Sequence, residues 1–300
     1  VSVSSEVIEA VAYQSAIMKL SRTIRMPAGV EKIPVVSVAP QAGFVNPTYG
    51  GHKPQTTVEW TSMQIVPEEI ACIVPVPNAF IDDAGFPVWQ EIRDLIAGSI
   101  AFTFDDAALN GNGAPATYPA GGLIAAAGGP APATGGANEW DNISAALGQL
   151  EAQGFTADGI LGGAALAGVM RSMFGFAGVM PTTAAPTTIF GLSYATTSAW
   201  DYTKAQEMVG DFDYSLVGIR QDIRFEMSTD GVITDVAGKV LVNAFQDDTT
   251  LMRVYTRVGY AIGKPLGAIQ SDGTRTAMAP FWLAGAPGTM TLAAPAAKKS

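Results

Sequence analysis

A chain of 300 residues, 48% hydrophobic and 15% charged, can bury a sizeable core and is not a disordered polymer. Its formal charge of −10 argues against a sequence-independent grip on duplex DNA, which needs an excess of Lys and Arg to displace counterions. One Cys and one His rule out an internal disulfide and a cysteine-cluster metal centre, and no H-x-x-x-H or C-x-x-C pattern is present.

In chain order, Ser4 and Ser5 can cap a first helix over Glu6–Leu20, with Val7, Ile8, Val11, Ile17 and Met18 as its apolar stripe. Met26-Pro27-Ala28-Gly29 ends it. Residues 41–66 predict a hairpin: Thr56, Val58 and Trp60 alternate with Thr57, Glu59 and Thr61, and residues 46–54 are dense in turn formers. An isolated two-stranded ribbon is marginal in water, so it folds back on its own domain or lies on another subunit. A strand over Ile70–Val76 follows, in which Cys72 reads as a small buried apolar residue.

The stretch from Gly85 to Gly113 predicts one long helix. Pro87 suits its first turn, and the Asn-Gly pairs at 110–113 supply a residue able to take positive φ at its end. Val88, Ile92, Leu95, Ile96, Ser99 and Ile100 recur at helical spacing as the buried face; Glu91, Asp94 and Asp105 read as the wet face. Gly111–Gly136 then reads as an irregular, Gly- and Pro-rich connector at a domain change. Its formal G-x-G-x-x-A pattern follows a helix, where a dinucleotide fold needs a strand. Helices over Asn138–Gln153 and Ala164–Phe174 flank a strand at Gly159–Leu161, and 181–199 reads as a loop. Ile223, Phe225 and Met227 alternate with Arg224, Glu226 and Ser228 as a strand buried on one face. Leu251–Ile262 is another, with Arg253, Tyr255 and Arg257 on its open side. The tail from Met278 is rich in Ala, Pro and Gly.

Four phrases in this order resemble the major capsid proteins of tailed bacteriophages, the HK97-like fold. They are Gln14 to Arg22 with Met26-Pro27-Ala28-Gly29 and Ile33-Pro34-Val35; the ribbon; the helix exit Leu109-Asn110-Gly111-Asn112-Gly113 with Gly122-Leu123-Ile124; and Val209-Gly210-Asp211-Phe212 through Gly218-Ile219-Arg220. The resemblance implies an α+β fold. Its parts would be an N-terminal arm (1–38), an extended β-hairpin or E-loop (39–66), a P-domain (67–113 and 236–275) with a spine helix over 87–109, an A-domain with its connector (114–235), and a C-terminal extension (276–300). It implies a structural role: hexamers and pentamers closing into an icosahedral head shell around double-stranded DNA, assembled in the host cytoplasm. DNA would be enclosed without specific binding, and scaffolding, portal or decoration proteins are expected as partners. No membrane partner and no cofactor are expected. An encapsulin-type compartment of the same fold is the alternative, and an α/β enzyme on an unrelated scaffold a more distant one.

The resemblance also assigns inter-subunit contacts to the E-loop residues Pro47, Tyr49, His52, Lys53 and Gln55. Some capsids of this fold weld subunits through a Lys in the E-loop and an Asn in the P-domain, helped by a Glu. Here Lys53 is the candidate amine, with Asp248 at the Asn place and Tyr255 at the Glu place; Asn243 nearby is the alternative amide. A carboxylate is a poor acyl donor and a phenol a weak base at neutral pH, so the expectation is an uncrosslinked shell with a Lys53–Asp248 salt bridge. The sequence-adjacent acid pairs Glu68-Glu69, Asp82-Asp83, Asp105-Asp106 and Asp247-Asp248 read as caps, turns and wet faces, leaving open a dyad of distant carboxylates.

Overall fold

The computed structural model describes residues 15–27, 29–45, 53, 55–85, 88–134, 139–168, 188–271 and 273–287. The N-terminal half comprises α1 (Ala16–Leu20), β1 (Arg22–Arg25), β2 (Glu31–Val38), β3 (Glu59–Ile65), β4 (Glu68–Pro77), α2 (Asn78–Asp83), α3 (Val88–Asn110), α4 (Gly122–Ala126), β5 (Gly128–Ala133) and α5 (Glu139–Ala152). The remainder comprises β6 (Gly159–Gly163), β7 (Thr188–Ile189), β8 (Leu192–Thr197), β9 (Glu207–Gly210), β10 (Ser215–Ser228), β11 (Val232–Thr234), β12 (Val240–Asn243), β13 (Thr249–Ile262) and β14 (Phe281–Ala284). Two sheets carry the fold, one of order β1-β10-β13-β4 and one of order β5-β14-β9-β6-β8-β7.

The 23-residue helix α3 serves both sheets. Its first half presses Ile96, Ala97, Ile100 and Ala101 onto Ile223 of β10 and Met252 and Val254 of β13. Its second half buries Phe104, Ala107, Ala108 and Leu109 in the core that joins the sheets, with Ile17, Leu123, Met208, Phe212, Tyr260 and Phe281. Gly111 takes φ +72 at the exit, and its N–H returns to the Ala107 carbonyl at 3.1 Å, as the Asn-Gly signal predicts. Pro87 lies outside the described residues. The apolar stripe is less regular than its spacing suggests: Leu95 is 73% exposed and Ser99 is also exposed. Asp105, expected on the wet face, is 1% exposed.

The ribbon pairs β2 with β3, so its first strand starts at Glu31, ahead of residue 41. Its root packs on the four-stranded sheet through a pair of glycines. Gly218 and Gly259 face each other across β10 and β13, and a Cβ on either would come within 2.8 or 2.7 Å of the Ile65 side chain at the end of β3. Absent side chains thus leave the slot that fixes the ribbon.

Three other expectations change. The connector holds α4, with Leu123 fully buried, and the strand β5. The 181–199 segment, expected as a loop, contains β7 and β8 where it is described. Phe190 (φ 55) and Gly191 (φ 79) turn the chain between them, and β8 pairs parallel with β6 in the buried sheet. Part of the tail is β14, paired antiparallel with β9 inside the same sheet. The first helix is seen only as α1, capped by Ser15; the expected caps Ser4 and Ser5 lie outside the described residues. Helix begins at Leu166, and the expected helix beyond residue 168 lies outside the described residues. Helix α5 agrees with expectation, burying Ile143, Ala146 and Leu150 against Ile160 and Val209. Cys72 is half-buried, and that burial raises its thiol pKa.

Candidate inter-subunit surfaces

Three features position surface rather than a pocket. The first is the root of the N-terminal segment. Asp105 projects from α3 into the core and accepts hydrogen bonds from Ser15 Oγ at 2.6 Å and from the backbone N–H of Ala16 at 3.0 Å and Ile17 at 3.3 Å. These donors belong to the first turn of α1, so a carboxylate borrowed from α3 satisfies N–H groups that a short helix leaves open. Burial raises the Asp105 pKa; the bonds from Ser15, Ala16, Thr197 and Ile17 pull it back. Next along, β1 joins β10 in parallel, and the guanidinium of Arg220 reaches the carbonyls of Met26 and Pro27. A groove of about 620 Å³ opens here, where β10 bulges, with Arg25, Arg220 and Arg224 on its walls.

The second is the ribbon. Glu59 to Ser62 and Gln64 of β3 are exposed, Trp60 at 67%, and Phe44 beyond β2 is completely exposed. Beyond the root β3 is therefore largely uncovered among the described residues, while Val35, Val36 and Ser37 of β2 are half-buried. Lys53 and Gln55 are exposed; Pro47, Tyr49 and His52 lie outside the described residues.

The third is the open face of the four-stranded sheet. The expected arginines stand there, paired: Arg253 with Glu226, and Arg257 with Glu69 at 3.0 Å. Tyr255 donates its hydroxyl to Glu226 at 2.9 Å, while the Arg253 guanidinium lies 5.3 Å from the Tyr255 ring centre. The bond from Arg253 and then that from Tyr255 hold the Glu226 carboxyl below its ordinary range. Exposed pairs of this kind add little to stability and much to the charge pattern a partner meets. Reading along the chain could not find Glu226 as the partner of Tyr255, because the contact depends on the register of β10 against β13. At the end of this face, Asp248 (φ 46) accepts from Asn78 Nδ2 at 2.7 Å, and its carbonyl accepts from Asn78 N at 2.9 Å. Asn243 accepts from Gln246 N at 3.4 Å in the turn before β13.

Carboxylates distant in sequence do converge at two places. Asp158, Asp211 and Asp213 bring oxygens within 4.8 Å of one another. Asp158 accepts from Phe212 N at 2.7 Å and Asp211 from Asp213 N at 3.2 Å, which caps the short 3-10 turn at Phe212–Tyr214. Burial, followed by the charge of Asp158, pushes Asp211 up to about 6. Glu139 and Glu207 make the second group. No described helix is long and apolar enough to cross a membrane.

A spine helix shared by two sheets, a clasped N-terminal segment and a ribbon whose β3 is largely exposed make up this α+β fold. Residues 2–269 match the model of the Phage capsid family, and the chain belongs to that family, a class of structural proteins. Among solved structures it is similar to a protein of Microbacterium phage Oxtober96 at 27% identity and TM-score 0.71, over 91% of each chain. Mycobacterium phage Bobi gives 23% identity and TM-score 0.74, covering 92% of this chain and 91% of that one. The capsid of a native GTA particle gives 16% and 0.62, covering 91% and 90%. The last two bear on fold alone. No curated protein matches the chain.

Proposed function

We propose that this capsid protein assembles as hexamers and pentamers into the icosahedral head of a tailed phage, in the host cytoplasm, and encloses double-stranded DNA in the virion. The observation that carries this is the ribbon. A two-stranded ribbon with Trp60 and Phe44 exposed cannot be stabilised by its own subunit beyond the root, and a neighbouring subunit covers it. Residues 1–38 act as the N-terminal arm, whose β2 supplies one strand of the ribbon, and 39–66 as the E-loop. The peripheral domain spans 67–113 and 236–275 around α3. The axial domain spans 114–235 and takes β14 into its sheet, leaving the remainder of 276–300 as an extension. Pro47, Tyr49, His52, Lys53 and Gln55 meet the neighbour, whose open sheet face is the receiving surface. The net charge of −10 suits a wall along which DNA packs without adhering. Scaffolding, portal or decoration proteins are further partners.

Deleting Asn46–Gln55 tests this. Obligate interfaces commonly bury about 2,000 Å² or more, so the shortened chain should fold with a normal melting transition yet yield no stable shells by electron microscopy. Normal shells from the deletion would refute the assignment. Protection of DNA from nuclease inside purified wild-type particles is the expected result that separates a phage head from a protein-filled compartment.

The shell is proposed to be uncrosslinked. Lys53 is exposed, while Asp248 offers a carboxylate and Tyr255 a phenol already engaged with Glu226. An ammonium beside a carboxylate forms an ion pair, not an amide. Mature particles boiled in detergent should run as a single band near 31.1 kDa. A ladder of covalent oligomers would show that Asn243 or another amide serves as acyl donor.

A further inference from the structure

Glu207 is the first residue of β9 and is completely buried. Neither of its carboxyl oxygens receives a hydrogen bond from any N–H or hydroxyl of the described chain. Its neighbours on the sheet, Gly162 of β6 and Ala284 of β14, are apolar, and neither strand contains an ionisable residue. Helix α5, packed across the same strands, carries Glu139, Asp141 and Glu151 and no Lys or Arg. Of these, Glu139 stands within hydrogen-bonding reach of Glu207. Lys204, the nearest cation along the chain, sits in the exposed turn before β9.

Two carboxylates in hydrogen-bonding reach, with no cation beside them among the described residues, repel unless one keeps its proton. The surroundings decide which one. Glu139 lies in the first turn of α5, where the helix favours negative charge, and its Oε2 accepts from Asn142 Nδ2 at 3.0 Å. Glu207 has no such support. Burial without such support favours the protonated form of Glu207. The chain closes tightly over the pair: a Cβ on Gly285 would stand 3.0 Å from Glu139 Oε2 and 2.6 Å from Gln206 Cγ.

The geometry points to a proton-dependent latch, in which Glu207 and Glu139 share one proton and thereby hold the first turn of α5 against β9. Removing that proton places two negative charges in a closed site, and α5 loosens from β9 and β14. The sign follows from linkage. Burial, with the charge of Glu139 added, raises the Glu207 pKa well above its ordinary 4.5. Over the interval between those two values the folded chain holds a proton that the unfolded chain has released, so stability falls as pH rises through it.

The test uses purified full-length protein and does not depend on shell formation. Glu207→Gln keeps the shape and donates from its amide to Glu139 without titrating. Wild-type protein should show a melting temperature that falls as pH climbs from mildly acid to alkaline, and amide exchange over α5 that accelerates with it. Glu207→Gln should remove most of that slope and abolish the infrared carbonyl band of a protonated buried carboxyl. Should that variant fail to fold, Glu139→Gln, at a partly exposed position, must flatten the same profile. An unchanged slope in the folded variants, or no carboxyl band in the wild type, overturns the latch. So does stabilisation of the wild type by calcium that Glu207→Gln eliminates, since a cation would then occupy the pair.

Discussion

Asp105→Ala should destabilise the chain by about 3 kcal/mol, read as a lowered denaturation midpoint, with amide exchange rising first over residues 15–25. The figure rests on three buried donors losing one acceptor. Ser15 Oγ and the N–H groups of Ala16 and Ile17 all end at Asp105, and an unsatisfied buried donor costs roughly 1–3 kcal/mol. Relief from burying a carboxylate offsets part of that loss. The adjacent acid supplies the control. Asp106 is only half-buried and bonds Asn110 at 2.7 Å and Asn112 at 3.0 Å at the helix exit, so Asp106→Ala should cost about 1 kcal/mol and leave exchange at α1 unchanged. Equal effects from the two substitutions would mean that Asp105 is not the clasp of α1.

Ile96→Asp should abolish soluble protein. Ile96 is 6% exposed on the half of α3 that packs against Ile223, Met252 and Val254. Asp there either keeps its charge without a partner or gives up free energy to hold a proton. Either route costs several kcal/mol, in addition to lost packing, against a total of about 5–15 kcal/mol. Leu95→Asp, one position earlier and 73% exposed, should fold and melt within about 0.5 kcal/mol of wild type. The measurement is the soluble fraction on expression, followed by denaturation of whatever is soluble. Soluble capsomers from Ile96→Asp would place that residue outside the core.

The contrast between positions 95 and 96 also marks how far sequence reading reaches. Helix α3 was legible because its two ends carry Pro87 and the Asn-Gly pairs and its apolar residues recur at helical spacing. Which apolar residues are buried was only partly legible, since α3 changes partner midway, and a single stripe along 23 residues does not describe two contact faces. Asp105 was misassigned for a related reason. A charged side chain at helical spacing reads as solvated unless the donors it serves are known, and those donors sit 88 to 90 residues earlier. Strands β5 and β8 escaped notice because Gly, Pro, Ala and Thr imitate loop composition, while β8 owes its place to parallel pairing with β6. The alternation in β13 was readable in advance, and its arginines do stand on the open face; their partners Glu226 and Glu69 come from other strands and needed the register.

The strand order β1-β10-β13-β4 carries a consequence for biosynthesis. Two strands come from the first 77 residues and two from 215–228 and 249–262, so the sheet cannot close until residue 262 has left the ribosome. Until then the first half of α3 lacks its partners Ile223, Met252 and Val254, and the emerging chain presents β4 as an unpaired edge. Such distant pairing carries a loop-closure cost and slows folding. On any polysome the chain therefore passes through a sticky half-made stage, where nascent neighbours are close enough to compete for the same edges.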